Sequence, residues 1–208
     1  VKGAIRPETK MFFVETPTNP MMHVADIAAL SELAHSQGAL MVVDNTFLTP
    51  YFQRPLTLGA DVVVHSATKY LCGHNDVVAG IAVVKSQEMA DFFHAQQKSH
   101  GNGLAPFDSW LILRGLKTLS LRMQRHNENA RQVAAWLRQH PKVKKVYYVG
   151  FEDHPGYEVN RRQSTGFGGM ISFELDSEET AHRLLSEVKM ILFAESLGGT
   201  ETLVTYPI

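Results

Sequence analysis

The sequence predicts an α/β fold: a mostly parallel sheet flanked by helices, followed by a smaller α+β unit. Two observations carry this prediction. Through the first half, short apolar runs that suit buried strands alternate with segments of helical period. Each of the leading runs also stops at a cluster of polar residues, the pattern of strands whose carboxyl ends border a binding crevice.

In chain order, residues 10–15 (KMFFVE) form the first strand, closed by Thr16-Pro17-Thr18-Asn19-Pro20, where two prolines forbid a helix. Residues 26–37 place Ile27, Leu30, Leu33 and Ala34 at helical spacing, and Gly38 terminates that helix. Residues 39–43 are continuously apolar, as a strand covered on both faces would be, and end at Asp44-Asn45-Thr46. Residues 61–65 repeat the pattern and run into His65-Ser66-Ala67-Thr68-Lys69. A strand at 80–84 and a helix at 87–97 follow. Residues 109–140, free of proline and with one glycine, read as long helix with a break near Gly115, a natural domain connector. Beyond Pro141 the sequence gives strands at 143–149, 169–175 and 190–193, with a helix after Asp176. The expected division is 1–120 for the sheet domain and 121–208 for the connecting helix and an incomplete α+β domain. No internal repeat or low-complexity segment occurs.

Composition narrows the function. Twenty basic and 21 acidic residues are mixed along the chain, so no electrostatic footprint for nucleic acid or an anionic membrane exists. A small-molecule partner is the expectation. One cysteine, Cys72, excludes an internal disulfide, and no Cys/His spacing resembles a zinc site, which points to the cytoplasm. No run approaches the roughly 20 apolar residues of a membrane span, and residues 1–10 lack a secretory apolar core. The start without methionine and the end at Thr205-Tyr206-Pro207-Ile208 give the expectation of a piece of a longer polypeptide.

The strand ends hold the chemistry. Burial disfavours an ammonium, and a neutral amine attacks a carbonyl to form a Schiff base, so Lys69 is a candidate for covalent catalysis. Ser66 and Thr68, alternating on an extended segment, can bind a phosphate. Asp44 can pair with a cationic ring nitrogen, a strong charge-assisted bond in a dry pocket. Aldehyde, phosphate and pyridinium together describe pyridoxal phosphate. Each residue has a plainer role too: Lys69 emerging into solvent, Asp44 as a turn or helix cap, Ser66 and Thr68 as local backbone caps, and Asn19 as a turn former. Cys72, His65 and His74 have no visible catalytic partner and are read as structural.

The segments ETPTNP (15–20), VVDNTFLTPYFQRPLTLGADVVVHSATKYLCGH (42–74) and ESLGG (195–199) resemble the pyridoxal-phosphate enzymes of Cys/Met metabolism, the trans-sulfuration group of fold type I. The similarity runs along nearly the whole chain. It implies that Lys69 carries the cofactor and moves the substrate's protons, that Asp44 keeps the pyridine nitrogen protonated, and that Ser66 and Thr68 bind the phosphate. It further implies that Asn19 lies near the ring's phenolic oxygen and Ser196 near the substrate carboxylate. The family's phosphate loop, stacking tyrosine, partner-subunit tyrosine and arginine, and carboxylate-binding arginine match nothing in this sequence. The resemblance implies a small sulfur amino acid as substrate and, for a whole member, a homotetramer of active dimers. The ending ESLGGTETLVTYPI resembles bacterial β-lyases more than γ-synthases, which implies β-elimination from cystathionine; the γ-enzymes and sulfhydrylases are the alternative. A non-catalytic assembly module and a cofactor-free Schiff-base lyase are readings from other classes.

Overall fold

Three continuous apolar runs form the parallel part of the sheet. In the computed structural model, which describes residues 1–207, these are β1 (Met11–Glu15), β2 (Leu40–Asp44) and β3 (Val62–Ser66). They lie in the order β1-β2-β3, with Glu15 beside Asp44 and Asp44 beside Val64. β4 (Gly80–Val84) adds an antiparallel edge on β3, with Ser66 opposite Gly80. No helix separates β3 from β4, and a parallel return needs a long crossover. The sheet is therefore mixed, and mostly parallel.

α1 (Ile27–Ser36) covers one face of the sheet, where Ile27 and Ala34 meet Phe12, Met41, Val43 and Val63. Asp26 caps the helix by accepting the Ala29 N–H at 3.0 Å, a contact of the kind that stabilises by about 1 kcal/mol. Gly38 ends it with φ of +65°. The opposite face is open at its near end, since Met11, Phe13 and Leu40 are exposed. The expectation of a second strand covered on both faces thus fails at Leu40.

A second core surrounds the chain that follows β3. Ala67, Tyr70, Leu71 and Cys72 pack with Leu48, with Phe52 of α2 (Thr49–Phe52), and with helices α4 (Pro106–Leu116) and α5 (Leu119–Gln139). The single broken helix expected over 109–140 is these two helices, separated at Lys117-Thr118. Gly115 allows the close approach, because a Cβ there would lie 2.2 Å from the Cys72 carbonyl oxygen. α3 (Gln87–His100) runs three residues past its expected end, to Gly101 at φ of +71°.

The remaining elements are short. β5 (Val143–Tyr147) pairs antiparallel with β6 (Ser172–Leu175), and α6 (Tyr157–Gln163) lies between them in sequence. α7 (Glu178–Glu187) precedes β7 (Leu192–Phe193), which pairs in parallel with β8 (Leu203–Val204). The three strands expected here are all shorter than their apolar runs. At the end of the first, Tyr148 and Val149 leave the ladder to become core residues. Ile208 lies outside the described residues.

Gln53, only 1% exposed, joins the two halves. Its amide nitrogen donates to Asn45 Oδ1 at 2.9 Å and to the Thr16 carbonyl at 3.3 Å. Its amide oxygen accepts from Ser164 Oγ at 2.7 Å and Gln163 Nε2 at 3.3 Å. Two donors and two lone pairs are all that the side chain has, and all four are used. Gln53→Leu strands these partners in the interior, so the urea midpoint should fall by an amount equivalent to about 3 kcal/mol. Gln53→Glu, which keeps the shape and loses both donors, should also destabilise; wild-type midpoints in both would refute the role.

His65 is buried on β3 and its Nδ1 has no hydrogen-bond partner among the described residues. Burial lowers its pKa, against the opposing pull of Asp44 and the Asn45 backbone. Between the lowered value and the ordinary one near 6.5, the unfolded chain holds a proton that the folded chain does not, so acid favours unfolding. Stability is full above about pH 6.5 and falls as pH drops through the folded value. His65→Val should therefore lose less of its urea midpoint than wild type between about pH 7.5 and about pH 5.5. The residual loss comes from His126 and His154, which burial shifts the same way.

Candidate active site

The parallel register brings the strand ends level. Asp44 stands beside Glu15 on one side and Val64 on the other, and Ser66, two residues beyond Val64, falls on the same face. Thr46 then bolts β2 to β3. Its N–H donates to Asp44 Oδ1 at 2.9 Å, and its Oγ1 accepts the Ser66 N–H at 2.8 Å. Asp44 is thereby fixed through one oxygen, and Oδ2 takes no protein hydrogen bond among the described residues. Glu15, next to it, has its pKa raised by burial and then by the Asp44 charge, while the Asn19 N–H acts against both. Thr46 and Glu15 were not site candidates in the sequence; strand pairing was the signal that would have found them.

After Ser66 the chain coils tightly. The Lys69 N–H donates to the Ser66 carbonyl at 3.2 Å, that of Cys72 to Ala67 at 3.0 Å, and that of Gly73 to Lys69 at 2.8 Å. Thr68 Oγ1 is held by Ala79, accepting its N–H at 3.0 Å and donating to its carbonyl at 3.3 Å. Asn19 is exposed on the loop after β1, two strands away from the lysine's strand. Its side chain has no hydrogen bond to the described residues, while both X–Pro bonds of its loop are cis.

Lys69 is half-buried, and its Nζ donates to Ser196 Oγ at 3.0 Å across 127 positions of sequence. Ser196 has φ of +121°, a region costly for any residue with a side chain, on the order of 1–3 kcal/mol. The turn after it holds the strain. A Cβ on Gly198 would lie 2.6 Å from Tyr70 N, and one on Gly199 would lie 2.4 Å from the Asn75 amide. Asn75 in turn donates to Glu201 at 2.7 Å. Only glycines let this loop sit against the lysine's own backbone.

Neighbouring groups are unreactive. Cys72 donates to Asp76 Oδ1 at 3.1 Å, and burial, followed by Asp76, pushes its pKa up to about 11. At neutral pH it is a thiol, not a nucleophile. His74 Nδ1 lies 2.7 Å from the Cys72 carbonyl oxygen. Among the described residues no group of three His, Cys, Asp or Glu could hold a metal, and no helix is long and apolar enough to cross a membrane.

What the arrangement offers is an amine with one hydroxyl partner, a carboxylate oxygen left open at the end of the neighbouring strand, and a Ser66 hydroxyl that makes no hydrogen bond among the described residues. This set complements pyridoxal phosphate: an amine for its aldehyde, a carboxylate for its ring nitrogen and hydroxyls for its phosphate. Thr68 fits less simply, since Ala79 already satisfies it and only a rotated hydroxyl could serve a phosphate.

Comparison with known proteins agrees with that chemistry. The family described as Cys/Met metabolism PLP-dependent enzyme matches residues 1–208. The chain is 51% identical over 207 residues to cystathionine gamma-lyase of Bacillus subtilis, covering 100% of this chain and 55% of that protein. It is 47% identical to the chloroplastic cystathionine beta-lyase of Arabidopsis thaliana, covering 100% of this chain and 45% of that protein. It superposes with a TM-score of 0.96 on the crystal structure of cystathionine gamma-lyase from Lactobacillus plantarum complexed with L-serine, at 45% identity, covering 98% of this chain and 54% of that one. The chain spans about half the length of the relatives it matches. With the fold and these likenesses in agreement, it belongs to the fold type I, pyridoxal-phosphate-dependent enzymes of Cys/Met metabolism.

Proposed function

We propose that this chain carries the cofactor-anchoring part of a carbon–sulfur lyase that converts cystathionine and water to homocysteine, pyruvate and ammonia by β-elimination. The observation that supports it most is the Lys69–Ser196 contact at the sheet's carboxyl edge. In this reading residues 1–120 belong to the cofactor domain and 121–208 to a connecting helix and part of the C-terminal domain. The whole protein is a cytoplasmic homotetramer.

Bound pyridoxal phosphate supplies an electron sink for the carbanion formed at Cα. The chain's residues do the rest. Lys69 anchors the group and, once its amine is free, takes the Cα proton; Ser196 Oγ, at 3.0 Å, orients that amine and lies near the substrate carboxylate. Asp44, with one oxygen pinned by Thr46, offers the other to the ring nitrogen. Ser66, together with Thr68 once its hydroxyl turns away from Ala79, would hold the phosphate, and Asn19 would serve the phenolic oxygen.

The choice of β-elimination rests on the likeness of the Thr205-Tyr206-Pro207 ending to bacterial β-lyases. A second reading, γ-elimination, is favoured by the 51% identity to a cystathionine gamma-lyase. It would need a proton removed from Cβ as well, and Lys69 is the base for that step too.

The test uses the full-length protein. Borohydride reduction of the cofactor-loaded protein should leave the label on Lys69, and Lys69→Ala should lower turnover about 10³-fold or more. A colourless, correctly folded full-length protein would refute the enzyme reading in favour of an assembly module. With cystathionine as substrate, pyruvate is the expected product; 2-oxobutyrate alone would replace β- by γ-elimination.

A further inference from the structure

Arg122 lies in the first turns of α5, half-buried, and forms no ion pair among the described residues. Its guanidinium is bound to carbonyls instead. Nη1 donates to the Tyr70 carbonyl at 2.6 Å, and Nη2 to those of Gly115 at 2.9 Å and Leu71 at 3.4 Å. Nε donates to Thr118 Oγ1 at 3.1 Å, and that hydroxyl itself donates to the Gly115 carbonyl at 3.1 Å. The cation thus spans two chain segments: the turn immediately after Lys69, and the last turn of α4, whose carbonyls carry the negative end of the helix dipole.

Two glycines make this approach possible. A Cβ on Gly73, at φ of +74°, would lie 2.1 Å from Nη1, and one on Gly115 would strike the Cys72 carbonyl. Burial lowers the guanidinium's pKa, as it must for a cation without a carboxylate partner. Only a planar fork with several fixed donors can satisfy carbonyls arranged in this way; an ammonium cannot.

We infer that Arg122 is a positioning residue for Lys69: by clamping the Tyr70 and Leu71 peptides to α4, it fixes the direction in which the lysine amine points. The lysine amine sits at the end of a four-carbon stem, so a small rotation of the neighbouring peptide becomes a large displacement at Nζ. The clamp and the Ser196 hydroxyl act at opposite ends of that stem. This inference rests on the reading of Lys69 as the cofactor anchor.

The experiment compares Arg122→Met and Arg122→Lys with wild type and with Arg125→Met, an exposed arginine on the same helix whose partner is Glu128. All are made in the full-length, cofactor-loaded protein. Circular dichroism reads folding, the pH titration of the bound cofactor's visible absorbance reads the proton on the lysine nitrogen, and steady-state kinetics separate kcat from KM. Arg122→Met should keep its fold and KM, lose about 100-fold in kcat, and shift the absorbance titration. Arg122→Lys should show the same changes in smaller measure, and Arg125→Met none. If the methionine variant does not fold, the lysine variant decides on the same two readouts. Lowered thermal stability with an unshifted titration and wild-type kcat in the folded variants would make Arg122 merely structural and overturn the inference. Borohydride label on a residue other than Lys69 in wild type would overturn the anchor reading itself, whatever the arginine variants do.

Discussion

The site depends on one geometric constraint, that β1, β2 and β3 run parallel and end level. With Glu15 beside Asp44 and Asp44 beside Val64, two carboxylates and the Ser66 hydroxyl fall on one edge and one face. A slip of one residue in β2 would turn Asp44 to the α1 side and send Val43 outward, because strand side chains alternate. The apolar set Phe12, Met41, Val43 and Val63 under α1 forbids that slip. The hydrophobic face thus places the polar one, and Thr46 makes the placement rigid by bonding to both strands.

Two polar clamps transmit that order to the loops. Gln53 uses all four of its hydrogen-bonding positions to tie the Thr16 loop, Asn45 and the Gln163-Ser164 pair together. Arg122 ties the lysine turn to the break between α4 and α5. Gln53 works mainly through other side chains and Arg122 mainly through backbone carbonyls, and both lie in half-buried or buried surroundings where such bonds are expensive to lose. Loops that carry chemistry are otherwise the most mobile parts of a fold. Here Ala67, Tyr70, Leu71 and Cys72, which flank the half-buried Thr68 and Lys69, are core, with Tyr70 only 2% exposed.

The sequence made the sheet legible, since its apolar runs and proline-rich or polar stops are local signals. It also made Lys69, Asp44, Ser66 and Thr68 legible as polar residues at or just past strand ends, which is where they lie. What it hid was every contact whose partner lies far along the chain. Gln53 reads as an ordinary loop glutamine until the fold brings Ser164 to it, 111 positions later. Arg122 reads as one more basic residue in an Arg-rich helix, and the glycines that admit it, Gly73 and Gly115, carry no local sign of that use. The helix break was sensed at Gly115, yet the glycine's role is to let the Cys72 carbonyl approach, and the break itself comes at Lys117-Thr118. Strand ends in the second half were overread because an apolar residue such as Val149 can be core without being strand.

The Lys69–Ser196 contact shows what such long-range construction means for function. The two residues are 127 positions apart, and Ser196 sits in a strained backbone conformation next to a turn whose Gly198 and Gly199 pack against Lys69, Tyr70 and Asn75. Strain of that kind survives when the surroundings overdetermine it. Removing the loop from the lysine would release the strain and free the amine at once, so the two states are linked. In the proposed function, a lysine that alternates between anchoring a group and moving a proton needs a partner with this property, near enough to orient it and held by something other than the lysine itself. The glycines at 198 and 199 supply that independent hold, because they seat the loop on the Lys69–Tyr70 backbone and on the Asn75 side-chain amide rather than on the amine.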